Sequence, residues 1–527
     1  MASSAVIPSS SARSQVLARL ARLLTATLTR ANLSKALGAY VLYILIKYRS
    51  TAYGARPRHD LVGPQALPLI GNTFAILRWP RNEALQRQTE NHEVLYGPTY
   101  AISLPGVGRI INLTEPAMID HVLRGNFWAY EKGDHLKFVL GPMVGQGIFG
   151  ADGERKLASN IFNVKSFRTY TSDVFCREAE LVIEYLAKAA DSGKVVDLQS
   201  IFYLFTLDAF GEIAFGQAFG CLKDPNREVE FASAFDRLNQ ALSLRIINPF
   251  WKFKEWWTGS GDVVLKDTKT VHDFAYNVIR KRREEIANGG KKYKDLMQLF
   301  MDAKDENGAP LSDEMLKDEL INMILAGRDT TAQALSWMFY LMHRAEASSE
   351  ILFQLTEEID SVLEGGHPTY ESTKQQKYAV ACFYETLRLY PSVPQNMKVC
   401  VQDDILPGGL KVYKGENVGW APWVMGRLEA IWGRDAKEFK PERWLSGEKP
   451  SSSKFVSFHL GPRTCLGQQF ATIEALTITS MLLQKFTFEL VDPNTEPAYI
   501  PALTLPMASG LPVRVKHRIP GTSKEEE

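Results

Sequence analysis

The sequence lacks the features that mark several common classes of protein. Only five of its 527 residues are cysteine, and neither a C-x-x-C pair nor an H-E-x-x-H segment occurs, so neither a disulfide scaffold nor a zinc cage is indicated. The 61 basic and 60 acidic residues leave a net charge of +1, which gives no field that would attract nucleic acid. Hydrophobic residues account for 45% and charged residues for 23%, and these proportions exclude a disordered or fibrous chain.

Internal repeats are also missing, and no linker is evident beyond about residue 65, although a single core ordinarily stops growing at roughly 250–300 residues. Short apolar runs predict strands at 100–104, 109–113, 410–412 and 486–490. Helical periodicity predicts helices at 177–190, 229–244, 263–288, 351–363 and, most extensively, 313–344. The expected fold class is therefore mainly α with a small β-sheet portion, in one large domain.

Acidic residues are absent before Asp60, whereas nine basic residues precede it. Residues 1–56 therefore form a separate basic segment, with an amphipathic stretch at 17–28. Residues 36–46 are uncharged and mostly apolar, which favours a membrane anchor at about 33–48, although a helix that spans a bilayer needs about 20 apolar residues. A mitochondrial transit peptide and a plain tail are the alternatives. Prolines at 57, 64 and 68 predict a stiff hinge at 57–72, at the start of the main domain 57–527.

Gly145, Gly147 and Gly150 reproduce the spacing of a dinucleotide-binding G-x-G-x-x-G motif. The genuine motif follows a strand, opens a helix and precedes an acidic residue by about 20 positions. Here Pro142 lies just upstream, no apolar strand leads in, and Gly153 follows closely. We therefore do not expect nucleotide binding at this loop.

The segment Phe458-His-Leu-Gly461-Pro-Arg463-Thr-Cys465-Leu-Gly467 places a lone cysteine between glycines, next to an arginine and before an apolar helical stretch. The glycines permit tight backbone geometry, and Arg463 together with the N–H groups of the helix start would stabilise a thiolate. Such a thiolate is suited to be an axial metal ligand. Simple burial of a small thiol in a turn is the alternative.

This segment matches F-x-x-G-x-R-x-C-x-G at every fixed position, and the chain thereby resembles the cytochrome P-450 superfamily of haem-thiolate monooxygenases over about residues 60–515. The resemblance implies the cytochrome P-450 fold, haem b (iron protoporphyrin IX) as the cofactor and Cys465 as the axial ligand of the haem iron. It also implies that Phe458, Gly461, Arg463 and Gly467 belong to the cofactor-binding loop.

Ala326-Gly327-Arg328-Asp329-Thr330 lies midway along the longest predicted helix. A glycine inside a helix costs roughly 1 kcal/mol relative to alanine, which indicates a local requirement such as a widened turn that admits a small ligand. An acid beside an alcohol can pass protons from solvent to that ligand, although ordinary helix polarity also accounts for the pair. The resemblance implies that Asp329 and Thr330 are the catalytic acid and alcohol and that Ala326 and Gly327 line the oxygen pocket.

Glu385 and Arg388 form an E-x-x-R pair, whose side chains share one face of a helix and can form a salt bridge. Such pairs are common on protein surfaces. The resemblance implies that Arg443, in a downstream P-E-R-W segment, completes a structural triad with this pair. The triad would hold the loop that leads to Cys465.

The sequence departs from the family at 152–159, where D-G-E is followed directly by R-K-L-A-S. Relatives usually carry a tryptophan and a basic residue between these parts, and both contact a haem propionate. Arg463 and Lys398 would remain as propionate partners, with Arg155 or Lys156 as substitutes. An inactive, haem-poor scaffold is therefore one alternative to an enzyme.

Finer resemblance at 326–337, 388–395 and 425–444 is to plant and fungal fatty-acid and alkane ω-hydroxylases. It implies that the enzyme inserts one oxygen atom of O2 into an unactivated C–H bond, at the terminal or subterminal carbon of a fatty acid or alkane. Val393 and Leu505 are the expected substrate contacts, unless they merely pack. Oxidation of a terpenoid, sterol or polyketide is the alternative.

The expected partners also follow from the resemblance. Because no flavin or ferredoxin module fits after the cysteine segment, NADPH-derived electrons would come from a separate NADPH-cytochrome P-450 reductase, with cytochrome b5 as a further donor. A hydrophobic small molecule and a membrane are the other expected partners, and nucleic acid is not one. The expected location is the endoplasmic reticulum membrane with the catalytic domain in the cytosol, or alternatively the mitochondrion.

Overall fold

The computed structural model describes residues 30–78, 81–152, 165–216, 218–225, 229–248, 250–289, 295–304, 308–344, 348–447, 450–500 and 502–519. Within these ranges the chain is mainly helical with small sheets, as predicted. The amphipathic stretch at 17–28 and the candidate propionate partners Arg155 and Lys156 lie outside the described residues.

The α-helices are distributed along the whole described chain. In the first half they are α1 (Arg30–Lys47), α2 (Thr73–Arg78), α3 (Ala84–Glu90), α4 (Pro116–Asp120), α5 (Gly133–Val144), α6 (Lys165–Ser192), α7 (Leu198–Phe215), α8 (Glu230–Ile247), α9 (Trp251–Thr258) and α10 (Ser260–Ala287). In the second half they are α11 (Leu296–Asp302), α12 (Asp313–Ile324), α13 (Thr330–His343), α14 (Ser348–Leu363), α15 (Tyr370–Gln375), α16 (Lys377–Leu389), α17 (Pro422–Met425), α18 (Glu429–Trp432) and α19 (Gln468–Lys485).

The strands form three small sheets. They are β1 (Thr99–Leu104), β2 (Gly108–Leu113), β3 (Tyr130–Glu131), β4 (Val196–Asp197), β5 (Asn396–Cys400), β6 (Asp404–Ile405), β7 (Lys411–Val412), β8 (Asn417–Trp420), β9 (Phe486–Leu490) and β10 (Pro512–His517). The sheet orders are β1-β2-β8-β5-β3, β4-β10-β9 and β6-β7. The strands predicted at 100–104, 109–113 and 486–490 are confirmed as β1, β2 and β9.

The longest predicted helix runs without a break from Asp313 to His343 through α12, a π-helical turn at Leu325–Asp329 and α13. We call this run the long helix. Its widened turn confirms the local requirement inferred from Gly327. A Cβ at that position would lie 2.2 Å from the ring of Phe210 on α7, so only glycine allows the two helices to pack this closely.

The predicted anchor at 33–48 falls largely within α1, whose described side chains are mostly exposed. Among the described residues, none of the helices is both long and apolar enough to cross a bilayer. The proline-rich segment 57–72 packs along the edge of the five-stranded sheet. The Ala101 N–H donates to the Val62 carbonyl at 2.9 Å, and the Ser103 N–H donates to Asn72 Oδ1 at 2.8 Å.

Candidate active site

The cysteine loop, residues 458–467, is held by its own backbone and by a close contact with a neighbouring turn. The Cys465 N–H donates to the Phe458 carbonyl at 2.8 Å. Gly461 adopts a φ of +64°, and a Cβ there would lie 2.3 Å from the Leu123 carbonyl oxygen. Gly467 precedes α19, and a Cβ on it would lie 3.9 Å from Cys465 Sγ. Gly461 therefore lets the cysteine loop pack closely against the Leu123 carbonyl, whereas a side chain at Gly467 would reach only ordinary van der Waals contact with the sulfur.

The Cys465 thiol is open to a water-sized molecule, although protein atoms surround the sulfur closely. Burial raises the pKa of this thiol, and hydrogen bonds from the N–H groups of Gly467 and Gln468 lower it only in part. The Arg463 guanidinium donates to the carbonyls of Ile148 at 3.1 Å and Ala151 at 2.6 Å.

Lys398 lies on β5, close to Arg463, and is buried. Its ammonium donates to the Tyr130 carbonyl at 3.2 Å. Burial, reinforced by the charge of Arg463, lowers the pKa of Lys398 to about 8. The structure thus brings the two predicted propionate partners, one from the cysteine loop and one from the sheet, to the same neighbourhood.

The long helix is partly accessible to solvent at only two positions between residues 316 and 343, all of which the structure describes. From Leu316 to His343 every residue is buried except Ala326 and Thr330. These two positions lie one turn apart, and the Thr330 hydroxyl donates to the Ala326 carbonyl at 2.5 Å. The widened turn and the alcohol therefore share one open face.

The predicted acid, Asp329, turns away from this face toward α8. Its carboxylate accepts from Asn239 Nδ2 at 3.0 Å and from Arg328 Nη1 at 3.2 Å. The same guanidinium donates through Nη2 to Asp236 Oδ2 at 3.0 Å, and the Asp236 side chain is 54% exposed. Burial raises the pKa of Asp329 to about 6, against the opposing charge of Arg328. Asp236 and Asn239 were missed from the sequence.

Hydrogen bonds hold the two predicted substrate residues near the long helix, one through an adjacent side chain and one through its own backbone. The Ser392 hydroxyl donates to the Thr330 carbonyl at 2.7 Å, and Val393 beside it is half-buried. Leu505 is buried, and its backbone is clamped by Gln333 at 2.7 Å and Trp337 at 2.9 Å. The loop of Val393 therefore reaches the turn of the long helix that carries Thr330. The loop of Leu505 reaches the residues that follow it, Gln333 and Trp337.

The E-x-x-R pair is a fully buried, bidentate ion pair. Arg388 donates to Glu385 at 2.6 Å and 2.8 Å, and neither side chain is exposed. Arg443 Nε lies 3.2 Å from the same carboxylate. Trp444 Nε1 also donates to the Glu385 carboxylate, at 3.0 Å, and the Lys440 N–H donates to it at 2.9 Å. The sequence analysis did not predict these two contacts. The structure thus brings the three predicted triad residues together and surrounds them with further donors.

The glycine loop, residues 145–150, is held on the long helix and does not form a phosphate cradle. The Gln146 N–H donates to Asp318 Oδ2 at 2.8 Å, and the Phe149 N–H donates to Asn322 Oδ1 at 2.8 Å. These side chains already satisfy N–H groups that a phosphate would need. The geometry agrees with the expectation that no nucleotide binds here.

The described residues fit a haem, the cofactor that the resemblance implies. The cysteine loop presents an accessible thiol, and the long helix offers a widened turn and an alcohol at its open positions. Arg463 and Lys398 supply cations for two carboxylates, which would cost several kcal/mol if they were buried without partners. Cys465 would be the iron ligand.

Comparison with known proteins agrees with this arrangement. The family model described as Cytochrome P450 matches residues 61–510. The chain is 37% identical to Cytochrome P450 monooxygenase cyp1 of Mycosarcoma maydis, over 90% of this chain and 78% of that protein. It is 36% identical to Cytochrome P450 704C1 of Pinus taeda over 77% of this chain and 84% of that protein. It is 34% identical to Cytochrome P450 704B1 of Arabidopsis thaliana over 86% and 95%, respectively.

Proposed function

The chain belongs to the cytochrome P450 family and is a monooxygenase, an oxidoreductase whose family implies a haem-thiolate cofactor and a reductase partner, and on this premise we propose its substrate class. We propose that it hydroxylates the terminal or subterminal carbon of a fatty acid or alkane. Electrons would come from NADPH through an NADPH-cytochrome P450 reductase, with cytochrome b5 as a further donor.

The observation that carries this proposal is the uncharged character of the site. The open positions of the long helix are Ala326 and Thr330. The half-buried Val393 follows Ser392, whose hydroxyl donates a hydrogen bond to the Thr330 carbonyl. The nearby acid, Asp329, is directed toward α8. Because burying an unpaired charge is costly, such a lining favours the hydrocarbon part of a substrate. The resemblance of 326–337, 388–395 and 425–444 to ω-hydroxylases supports a fatty-acyl or alkane chain.

Two exposed surfaces support a location at the endoplasmic reticulum membrane. In α1, Leu37 and Ile46 are 63% and 60% exposed. In α9, the rings of Phe253, Trp256 and Trp257 cluster at 5.8–6.2 Å and face solvent. Tryptophan beside lysine is typical of the interface between lipid and water. The catalytic domain would then lie on the cytosolic side, whereas a transit peptide would direct the chain to mitochondria.

Product analysis in a microsomal fraction tests the substrate and the location together. The full chain is co-expressed with an NADPH-cytochrome P450 reductase, and microsomes receive NADPH with laurate, dodecane or a panel of terpenoids. We expect the protein in the microsomal fraction and NADPH-dependent products hydroxylated at or next to the chain end. Oxidation of terpenoids without oxidation of laurate or dodecane would contradict the substrate class. Recovery of the protein with mitochondria would contradict the location.

When bound, the haem supplies oxygen activation, and we propose that this chain's own residues supply the protons. The Thr330 hydroxyl holds a proton at Oγ1, at the open face of the widened turn. Arg328 pairs with both Asp329 and the solvent-exposed Asp236; this guanidinium holds the two carboxylates in place and does not itself pass a proton. Burial raises the pKa of Asp329 above its ordinary value, against the opposing charge of Arg328, so this carboxyl holds a proton more readily than an exposed aspartate does.

Thr330→Ala is expected to uncouple electron use from product formation. Because the variant lacks the hydroxyl at the open face, NADPH consumption should continue while product per NADPH falls by about 10-fold or more, with hydrogen peroxide formed instead. The measurement is the ratio of product to NADPH consumed. Thr330→Ser keeps the hydroxyl and should retain most of the coupling. An unchanged ratio in Thr330→Ala would show that protons arrive by another route.

A further inference from the structure

We propose that Gln333 is a positioning residue that determines which carbon at the end of a hydrocarbon chain is oxidised, because it holds the loop of Leu505 on the long helix. This inference rests on the proposed function and adds to it a residue that sets the regiochemistry. Gln333 lies on α13, three residues after Thr330 and therefore about one helical turn from it. It was not among the site residues predicted from the sequence.

The buried side-chain amide of Gln333 uses both of its N–H groups and its oxygen on neighbouring elements. Its Nε2 donates to the Tyr203 hydroxyl on α7 at 2.8 Å and to Thr504 Oγ1 at 2.8 Å. Its Oε1 accepts the Leu505 N–H at 2.7 Å. A leucine would fill a similar volume but would leave this buried N–H without its acceptor, which is costly. The amide therefore holds the loop on the helix and does more than fill space.

In the C-terminal loop, residues 502–507, alternate backbone N–H groups are accepted by side chains of three different helices. The N–H groups of Leu503, Leu505 and Met507 donate to Ser243 on α8 at 2.9 Å, to Gln333 on α13 at 2.7 Å and to Gln199 on α7 at 2.8 Å, respectively. Because each contact comes from a different helix, one substitution can release one part of the loop and leave the other parts in place.

The part of the loop that Gln333 holds lies next to the open face of the long helix. Thr330 is partly accessible, whereas Gln333 and Trp337 on the following turns are buried and bonded to the loop. Of the two leucines in the loop, Leu505 is buried and Leu503 is half-buried. A hydrocarbon chain that ends near Thr330 would therefore have this apolar loop as one wall.

A small movement of this wall would change which carbon atom reacts, since neighbouring carbons of an alkyl chain lie close together. A displacement of about 1 Å can alter a rate about 100-fold when the reacting atoms must be aligned. The C–H bonds of a terminal carbon are stronger than those of inner carbons, so a loosely held chain is oxidised at inner carbons. We therefore expect loss of the Gln333 contacts to shift oxidation away from the chain end.

The distribution of products from laurate and dodecane tests the inference. Microsomes that contain the full chain and an NADPH-cytochrome P450 reductase receive NADPH, and the hydroxylated products are analysed by gas chromatography and mass spectrometry. Gln333→Leu removes all three contacts and keeps a side chain of similar size. We expect the ratio of product at the outermost oxidised carbon to products at inner carbons to fall about 10-fold. Because this ratio does not depend on how much enzyme has folded, a general loss of stability would not change it.

Gln199→Leu is the matched control, because it removes a buried amide from the same loop two residues further along. Gln199 accepts the Met507 N–H at 2.8 Å and donates to the Met507 carbonyl at 3.1 Å. This variant should be destabilised to a similar extent, as measured by its urea midpoint, but should keep the parent product ratio. Thr504→Val removes only one of the contacts of Gln333 and should lower the ratio to a smaller extent.

Three outcomes would count against the inference. It is overturned if Gln333→Leu forms the thiolate band of the reduced carbon-monoxide complex and gives the parent ratio, or if Gln199→Leu shifts the ratio equally. If Gln333→Leu does not form that band, an unchanged ratio in Thr504→Val overturns it instead. A parent that oxidises neither laurate nor dodecane contradicts the proposed function, and this inference with it, whereas an active parent with an unaltered ratio in the variants contradicts this inference alone.

Discussion

Cys465→Ser is expected to eliminate the red-shifted thiolate Soret band of the reduced carbon-monoxide complex, together with all monooxygenase activity. A serine hydroxyl is far less acidic than a thiol, and the two N–H groups that face this position do not overcome burial even for sulfur. The axial thiolate is the electron donor that favours cleavage of the O–O bond, so no other described contact can replace it. The measurement is the carbon-monoxide difference spectrum of microsomes.

Cys176→Ser is the matched control for this experiment. Cys176 is half-buried on α6, and its sulfur contacts the Pro368 carbonyl at 3.3 Å, away from the cysteine loop. The same substitution there should leave the thiolate band in place. A normal band in Cys465→Ser, or its loss in Cys176→Ser, would contradict the assignment of Cys465 as the ligand.

Features that depend on neighbouring residues could be predicted from the sequence. The short apolar runs of β1 and β2 and the long periodic stretch at 313–344 are local patterns, and the structure contains the corresponding elements. Gly327 predicted a widened helical turn because a glycine in a helix interior has a cost that demands a reason. The E-x-x-R spacing likewise brought Glu385 and Arg388 onto one face of α16.

Features that depend on distant residues could not be predicted in this way. Asn239 sits on an amphipathic helix, and nothing in its local pattern indicates that it bonds to Asp329, 90 positions away. The N–H groups at the helix start beside Cys465 could be inferred from the sequence, whereas the burial that raises the pKa of its thiol depends on distant residues.

Glu385→Gln is expected to have the largest effect on stability. The change leaves the fully buried guanidinium of Arg388 without its charged partner and weakens the contacts of Arg443 and Trp444. Removing one partner of a buried ion pair costs about 3–5 kcal/mol, because the remaining charge cannot be solvated. Since Arg388 also donates to the carbonyls of Gly426, Ala436 and Glu438, the loss would spread into the segment that precedes the cysteine loop.

Glu489→Gln provides the same chemical change at an exposed ion pair. The Glu489 carboxylate lies 3.6 Å from Lys516, and their side chains are 57% and 71% exposed. A surface pair of this kind contributes about 0–1 kcal/mol, so the variant should unfold at nearly the parent urea concentration. The measurement is the urea concentration at which half of the helical circular-dichroism signal is lost. A Glu385→Gln midpoint equal to that of Glu489→Gln would show that the triad is not what holds this part of the fold together.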